Sequence, residues 1–218
     1  MTKRQQPQSS LHKSQEAGYT IIESLVAMIV VSVLMIAIAP VMAFSVATRV
    51  QAKRIEMATQ AAKTYIEALR SEALKKGGTI KGFPIQYTTD NNLENTPAPT
   101  AIDDLYCIDK DEVQGCQANS NQDFVVQGYY FNNLPATTNP ARTGYSLIVR
   151  VYRASSFASG VGPLKTQNNL QAQQGTTSAG LGNLRAPLVE MRTEIGASDR
   201  QGAYNSLCTR INGAKGCQ

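Results

Sequence analysis

The sequence predicts an α+β fold, with a long N-terminal α-helix packed on a small antiparallel β-sheet. The helix is expected to be transmembrane in its first half and amphipathic in its second. Three observations carry that expectation. From Ser24 to Thr48 the chain has no charged residue. Beyond it, Ile55, Ala58, Ala62, Tyr65, Leu69 and Ala73 recur at spacings of three and four, so they share one helix face. Past Gly78 the period switches toward two, in segments rich in β-branched and aromatic residues.

As a helix, the uncharged run of about 25 residues spans roughly 37 Å, against a hydrocarbon core of ~30 Å. One carboxylate, Glu23, stands at its head. Ionisable groups inside membrane segments cost about 2.5–3.5 kcal/mol or more at the bilayer centre, so they mark functional sites. The preceding Met1–Gly18 stretch is polar and carries Lys3, Arg4 and Lys13. Those cations hold that end cytoplasmic, and everything after the run then faces the periplasm or an equivalent space. A cut after Gly18 would give Tyr19 a free α-amino group, a partner for Glu23 of a neighbouring copy. Pro40 removes one helix hydrogen bond, which membrane helices tolerate. A generic single-span anchor accounts for the length of the run but for neither Glu23 nor Pro40. A secretory signal peptide cut after Val41-Met42-Ala43 would have an apolar region of only ~7–15 residues, shorter than this one.

Gly18-Tyr19-Thr20-Ile21-Ile22-Glu23-Ser24-Leu25, with Pro40 downstream, resembles the class III signal of type IV pilins and pseudopilins. The resemblance implies a type IV pilin-like fold, with Gly18 before the scissile bond and Tyr19 as the new N-terminus, cleaved and N-methylated by a prepilin peptidase. It makes Glu23 the residue that neutralises the N-terminus of the adjacent subunit, and Pro40 the helix-kinking proline. Tyr19 stands where phenylalanine is commoner, and Ser32 where many members have glycine. The implied organisation is a cleaved leader over 1–18, a transmembrane or filament-core helix over 19–48, an amphipathic half over 49–78 and a periplasmic globular domain over 79–218. The implied partners are the peptidase, other pilin or pseudopilin subunits, an inner-membrane assembly platform and, before assembly, membrane lipid. Residues 47–65, with Ile21–Ala27, are similar to cyanobacterial pseudopilins of the hormogonium polysaccharide secretion system. That similarity implies an inner-membrane pseudopilin that supports polysaccharide export. The alternatives are a minor pilin of a surface pilus, acting in priming, adhesion or DNA uptake, and a binding module tethered by a single span.

Composition narrows the chemistry. The net charge of +5 falls to about +3 without Met1–Gly18, too weak a surplus to argue for nucleic acid. The one histidine, His12, lies in that leader. A chain without it holds no Ser-His-Asp or Cys-His site and no histidine-based zinc site. No Gly-rich phosphate loop is present either. No enzyme activity, cofactor or metal is expected.

Past Gly78 the segment from Thr79 to Gln122 reads as irregular. Strands are expected at Asp123–Phe131, Tyr145–Arg153 and Leu188–Ile195, the last with Val189, Met191, Thr193 and Ile195 facing inward. Lys75 and Lys76 suit the negative end of the helix dipole, and Gly77-Gly78 is the expected stop. Ser159–Arg185 is rich in Gly, Gln and Asn and reads as a mobile surface loop. Four cysteines form two sets of identical spacing, Cys107 with Cys116 and Cys208 with Cys217. In an oxidising compartment they read as a disulfide framework, favouring two local cystine loops among three possible pairings. Paired cysteines of a metal knuckle stand only two to four residues apart. Asp103, Asp104, Asp109, Asp111 and Glu112 cluster around Cys107. Some pseudopilins bind calcium in their globular domain, but no EF-hand pattern is present here, and a solvated acidic loop is the favoured account.

Overall fold

The computed structural model describes residues 20–74, 76, 78–88, 92–132, 139–166, 182–197, 204 and 208. Two compact units, Met1–Phe44 and Ser45–Gln218, meet inside a single helix, α1 (Ile21–Arg70). Every described residue of the first unit is exposed. Its hydroxyls turn back onto the helix: Ser24 Oγ donates to the Ile21 carbonyl at 2.8 Å and Ser32 Oγ to the Met28 carbonyl at 2.7 Å. Those bonds satisfy the hydroxyls and leave an aliphatic surface.

In the second unit, α1 buries Ala58, Ala61, Ala62, Tyr65, Ile66 and Leu69 against a five-stranded sheet. The strands are β1 (Ile85–Gln86), β2 (Tyr106–Ile108), β3 (Phe124–Phe131), β4 (Tyr145–Arg153) and β5 (Val189–Ile195). Their order is β1-β3-β4-β5, with β2 also paired to β3. Short helical turns at Leu93–Asn95 and Ala154–Phe157 and a four-residue α2 (Pro140–Thr143) lie between them. Phe124, Val126, Tyr130, Tyr145, Leu147, Val149, Val151 and Ile195 face the helix. Tyr129 and Ile148 face the other way, onto Leu93, Tyr87 and Phe131. Cover on both faces explains why β3 and β4 read as nearly continuous apolar runs.

That second face is clamped by a charge. Arg150 is 1% exposed and spends its guanidinium on Glu190 of β5 and on the loop above it. Nε donates to Glu190 Oε2 at 2.6 Å, Nη1 to Thr96 O at 2.9 Å and Oγ1 at 2.7 Å, and Nη2 to Glu94 O at 3.2 Å. A buried ion pair offsets its desolvation only when such extra hydrogen bonds are present. Arg192 pairs with Glu94 at the rim.

The main strands form within a residue of their expected limits, and Val189, Met191 and Ile195 pack on the core as expected. Three expectations need correction. The sheet is mixed rather than antiparallel, because β1 pairs parallel to β3 through Ile85–Tyr129 and Gln86–Tyr130. Two paired residues carry no periodicity, so neither β1 nor the three-residue β2 stood out from the irregular segment. The helix also ends at Arg70, six residues short of Lys76. Glu72 adopts a left-handed backbone (φ 56°), and the Leu74 N–H returns to the Ala68 carbonyl at 3.1 Å. The turn brings Leu74 into the core, 2% exposed, while Ala73 stays outside; burial of a leucine overrides continued helix periodicity. Finally, the ends of the Ser159–Arg185 segment are pinned. Lys165 N–H donates to Arg185 O at 2.7 Å, Arg185 Nε to Pro163 O at 2.8 Å, and Tyr152 Oη to Lys165 O at 3.0 Å. Residues 167–181 of that segment lie outside the described residues.

Helix and sheet approach closely at Gly128. A Cβ there would strike Tyr65 Oη and lie 3.0 Å from Pro84 Cβ. Tyr65 fills the space, packs its ring at a tilt of 51° against Tyr106 with centroids 5.3 Å apart, and donates its hydroxyl to the Gly82 carbonyl at 2.7 Å. Gly82 is itself constrained, with φ 95° and a would-be Cβ 2.6 Å from Tyr106 Cα. Gly128→Ala is therefore expected to destabilise the chain by about 1–3 kcal/mol, the usual range for overpacking. Urea denaturation of the full chain in detergent measures it, and an unchanged midpoint would contradict the close approach.

Burial raises the Tyr65 pKa well above its ordinary value, and neighbouring Tyr145 and Tyr106 add to it. Tyr145 and Tyr152 are also pushed up chiefly by burial, with Arg150 opposing the shift at Tyr152. The folded state keeps these protons where the unfolded chain loses them, so their contribution is full below an unfolded pKa of about 10 and fades above it. Arg153 works in the opposite sense, its pKa pushed down to about 10, mainly by burial. With several tyrosines against one arginine, unfolding free energy is expected to hold through pH 9 and fall beyond pH 10; denaturant midpoints across pH 8–11.5 check this.

Candidate functional site

The candidate site is the head of α1. Thr20 occupies the N-cap, and the Glu23 N–H approaches its hydroxyl at 3.3 Å and its carbonyl at 3.0 Å. Thr-x-x-Glu at a helix start is a capping-box pattern, in which the threonine serves the third backbone N–H and the glutamate can reach back. Sequence reading missed this second use of Glu23, although the spacing was visible. Glu23 is exposed, and among the described residues no ion pair or side-chain hydrogen bond engages its carboxylate. The next charged residue along the helix is Arg49. The carboxylate thus stands alone at one end of an aliphatic rod, available to an external cation.

Pro40 lies within α1, which continues through it. It removes the N–H that would have reached the carbonyl four residues earlier. Gly18 and Tyr19 lie outside the described residues, so the structure places Glu23 and Pro40 of the expected site but not the scissile bond.

In the second unit, Cys107 of β2 is disulfide-bonded to Cys116, with Cα atoms 5.7 Å apart. Cys208 is buried and disulfide-bonded, and Cys217 lies outside the described residues. Of the acidic residues grouped around Cys107, the fold brings together Asp109 and Asp111 and adds Asp123, which the sequence did not group with them. Their oxygens already have protein donors. Asp109 accepts from the N–H groups of Asp111 and Gly115, at 3.2 and 2.9 Å. Asp111 accepts from Val113 N–H at 2.9 Å and Ser120 Oγ at 2.7 Å, and Asp123 from the N–H groups of Lys110 and Gln117 at 2.9 and 3.4 Å. These carboxylates shape the cystine loop. Asp103, Asp104 and Glu112 are exposed and outside that cluster.

Residues 13–39 match the family model of the prokaryotic N-terminal methylation motif. No curated protein and no solved structure matches the chain. The matched segment ends one residue before Pro40 and contains the whole Gly18–Leu25 stretch and Glu23. The chain therefore carries the N-terminal signature of the type IV pilin and pseudopilin superfamily, on an α+β pilin-like fold. The motif implies a prepilin peptidase substrate and pilin assembly, and it points to a structural subunit. With α1, the one described helix long and apolar enough to cross a membrane, it fits a membrane-anchored protein.

Proposed function

We propose that the chain is a pseudopilin, a structural subunit cleaved between Gly18 and Tyr19 and N-methylated at Tyr19. The observation that supports this most directly is the lone Glu23 carboxylate at the head of the uncharged apolar run Ser24–Thr48 of α1. Before assembly the subunit sits in the inner membrane as a single span, with its globular unit in the periplasm. During assembly the Tyr19 amine of one subunit pairs with Glu23 of the next. In hydrocarbon an unpaired carboxylate is expensive, so helices in the wrong register are rejected while the matched register is accepted. The partners are the prepilin peptidase, an inner-membrane assembly platform and other subunits; the product is a short filament that supports secretion. Similarity of the helix to polysaccharide-secretion pseudopilins supports polysaccharide as the exported cargo. Cys208 and Cys217 form the second cystine loop in this reading.

Intact-mass analysis of the chain extracted from its native membranes is expected to give a species beginning at methylated Tyr19. Gly18→Val should retain the full leader. A native chain that keeps Met1–Gly18 would overturn the assignment, and abundant subunit in sheared surface filaments would favour a pilus over a pseudopilus.

Charge and capping at Glu23 are separable. Glu23→Gln keeps a side chain suited to the capping box but no charge. Both Glu23→Gln and Glu23→Ala are expected to insert and be processed normally while losing filament assembly. Assembly preserved in Glu23→Gln and lost in Glu23→Ala would reduce Glu23 to a helix cap.

A further inference from the structure

Arg153 ends β4 on the helix-facing side of the sheet, in register with Phe124. It is 4% exposed, yet among the described residues none of its three guanidinium nitrogens has a hydrogen-bond partner. Arg150, three residues earlier on the opposite face, has a carboxylate and two carbonyls. A guanidinium taken out of water without a counter-charge is strongly destabilising, which sets Arg153 apart from the neutral buried groups that also lack partners, such as Gln127 Oε1. A second cation aggravates it: Arg54 of α1, half-buried, lies near enough for its charge to act on Arg153. Burial first and Arg54 second push the Arg153 pKa down to about 10, so it stays cationic at neutral pH. The turn that follows adds two buried hydroxyls, Ser155 Oγ and Ser156 Oγ, that have no partner among the described residues. Among the described residues no ion pair engages either arginine. A buried guanidinium whose N–H donors are unspent is a group that receives an oxyanion through paired hydrogen bonds.

We propose that Arg54 and Arg153 form an oxyanion-binding site at the end of β4, taking a sulfate- or phosphate-class group. Arg153 supplies the buried floor and Arg54 the solvent-facing side. Binding would neutralise a charge that the fold alone leaves uncompensated, so occupancy should stabilise the globular unit. The site is independent of the filament reading, because its readout is stability and not assembly.

The test is thermal unfolding of the full chain in detergent, titrated with sodium sulfate at constant ionic strength against sodium chloride. A saturable rise of about 3–6 °C is expected once sulfate stands tenfold above its dissociation constant. Arg153→Met and Arg54→Gln should each remove the saturable part, while Lys63→Gln, an exposed cation on the same helix, should keep it. Arg54→Gln decides the matter if Arg153→Met does not fold. No rise would overturn the site. So would a non-saturating rise shared by every variant, because sulfate also stabilises proteins by exclusion from their surfaces. A saturable rise that survives both arginine substitutions places the anion elsewhere and overturns it too. Inorganic phosphate and glucose 6-phosphate form the second arm. A rise with both assigns the site to ester-borne groups as well as free ions; a rise with phosphate alone restricts it to free ions, and either upholds it.

Discussion

The globular unit depends on one close approach, that of Tyr65 to the bare backbone of Gly128. Two ordinary features make it possible. Ala58, Ala61 and Ala62 keep the helix surface low around the tyrosine, so helix and sheet come together without a gap. Opposite them, the absence of a side chain in mid-strand leaves a slot that the phenol ring occupies. The hydroxyl then reaches the Gly82 carbonyl and ties the segment leaving the helix to the sheet that follows. A glycine inside a strand normally weakens it, and here the ring supplies the missing packing. Tyr106, Tyr130 and Tyr145 extend the contact into an aromatic layer between helix and strands.

The same chain carries a second, differently built half. From Ile21 to Phe44 no side chain is buried and the described hydroxyls are spent within the helix. Stability in the globular unit comes from contacts within the chain. In the first unit the backbone bonds are internal, but the aliphatic surface must be met by lipid or by other helices. That division is legible in the hydropathy of the helix, and the methylation motif, residues 13–39, falls wholly within the first unit.

How far sequence carried the argument depends on how much periodicity each element has. β4 runs from Tyr145 to Arg153 as its pattern announces, because nine residues rich in β-branched and aromatic side chains, nearly all of them buried, leave little freedom of register. β1 and β2 are too short to show a pattern and owe their pairing to β3. The helix end was misplaced because Gly77-Gly78 is a strong local stop signal, whereas the actual stop is set by the tertiary burial of Leu74. At the candidate site, the position of Glu23 and Pro40 was legible from spacing alone. The capping of Glu23 by Thr20 was equally legible but masked by the more conspicuous charge. The membership of Asp123 in the acidic cluster was not, since it depends on how the cystine loop folds back on the start of β3.

The clamp at Arg150 also orders events in time. Its carboxylate partner, Glu190, sits directly across the β4–β5 ladder, while its other acceptors belong to the loop around Thr96. Until β5 is in place, docking that loop would bury a guanidinium without its counter-charge. Closure of the sheet's second face therefore waits for a residue some forty positions further along the chain (sequence separation 40). A chain emerging from N- to C-terminus can form the helix and the β3–β4 ladder early, yet must leave Leu93, Tyr129 and Ile148 uncovered until nearly its whole length has emerged. Through that interval the nascent domain is sticky on one face, and a chaperone has a defined surface to shield.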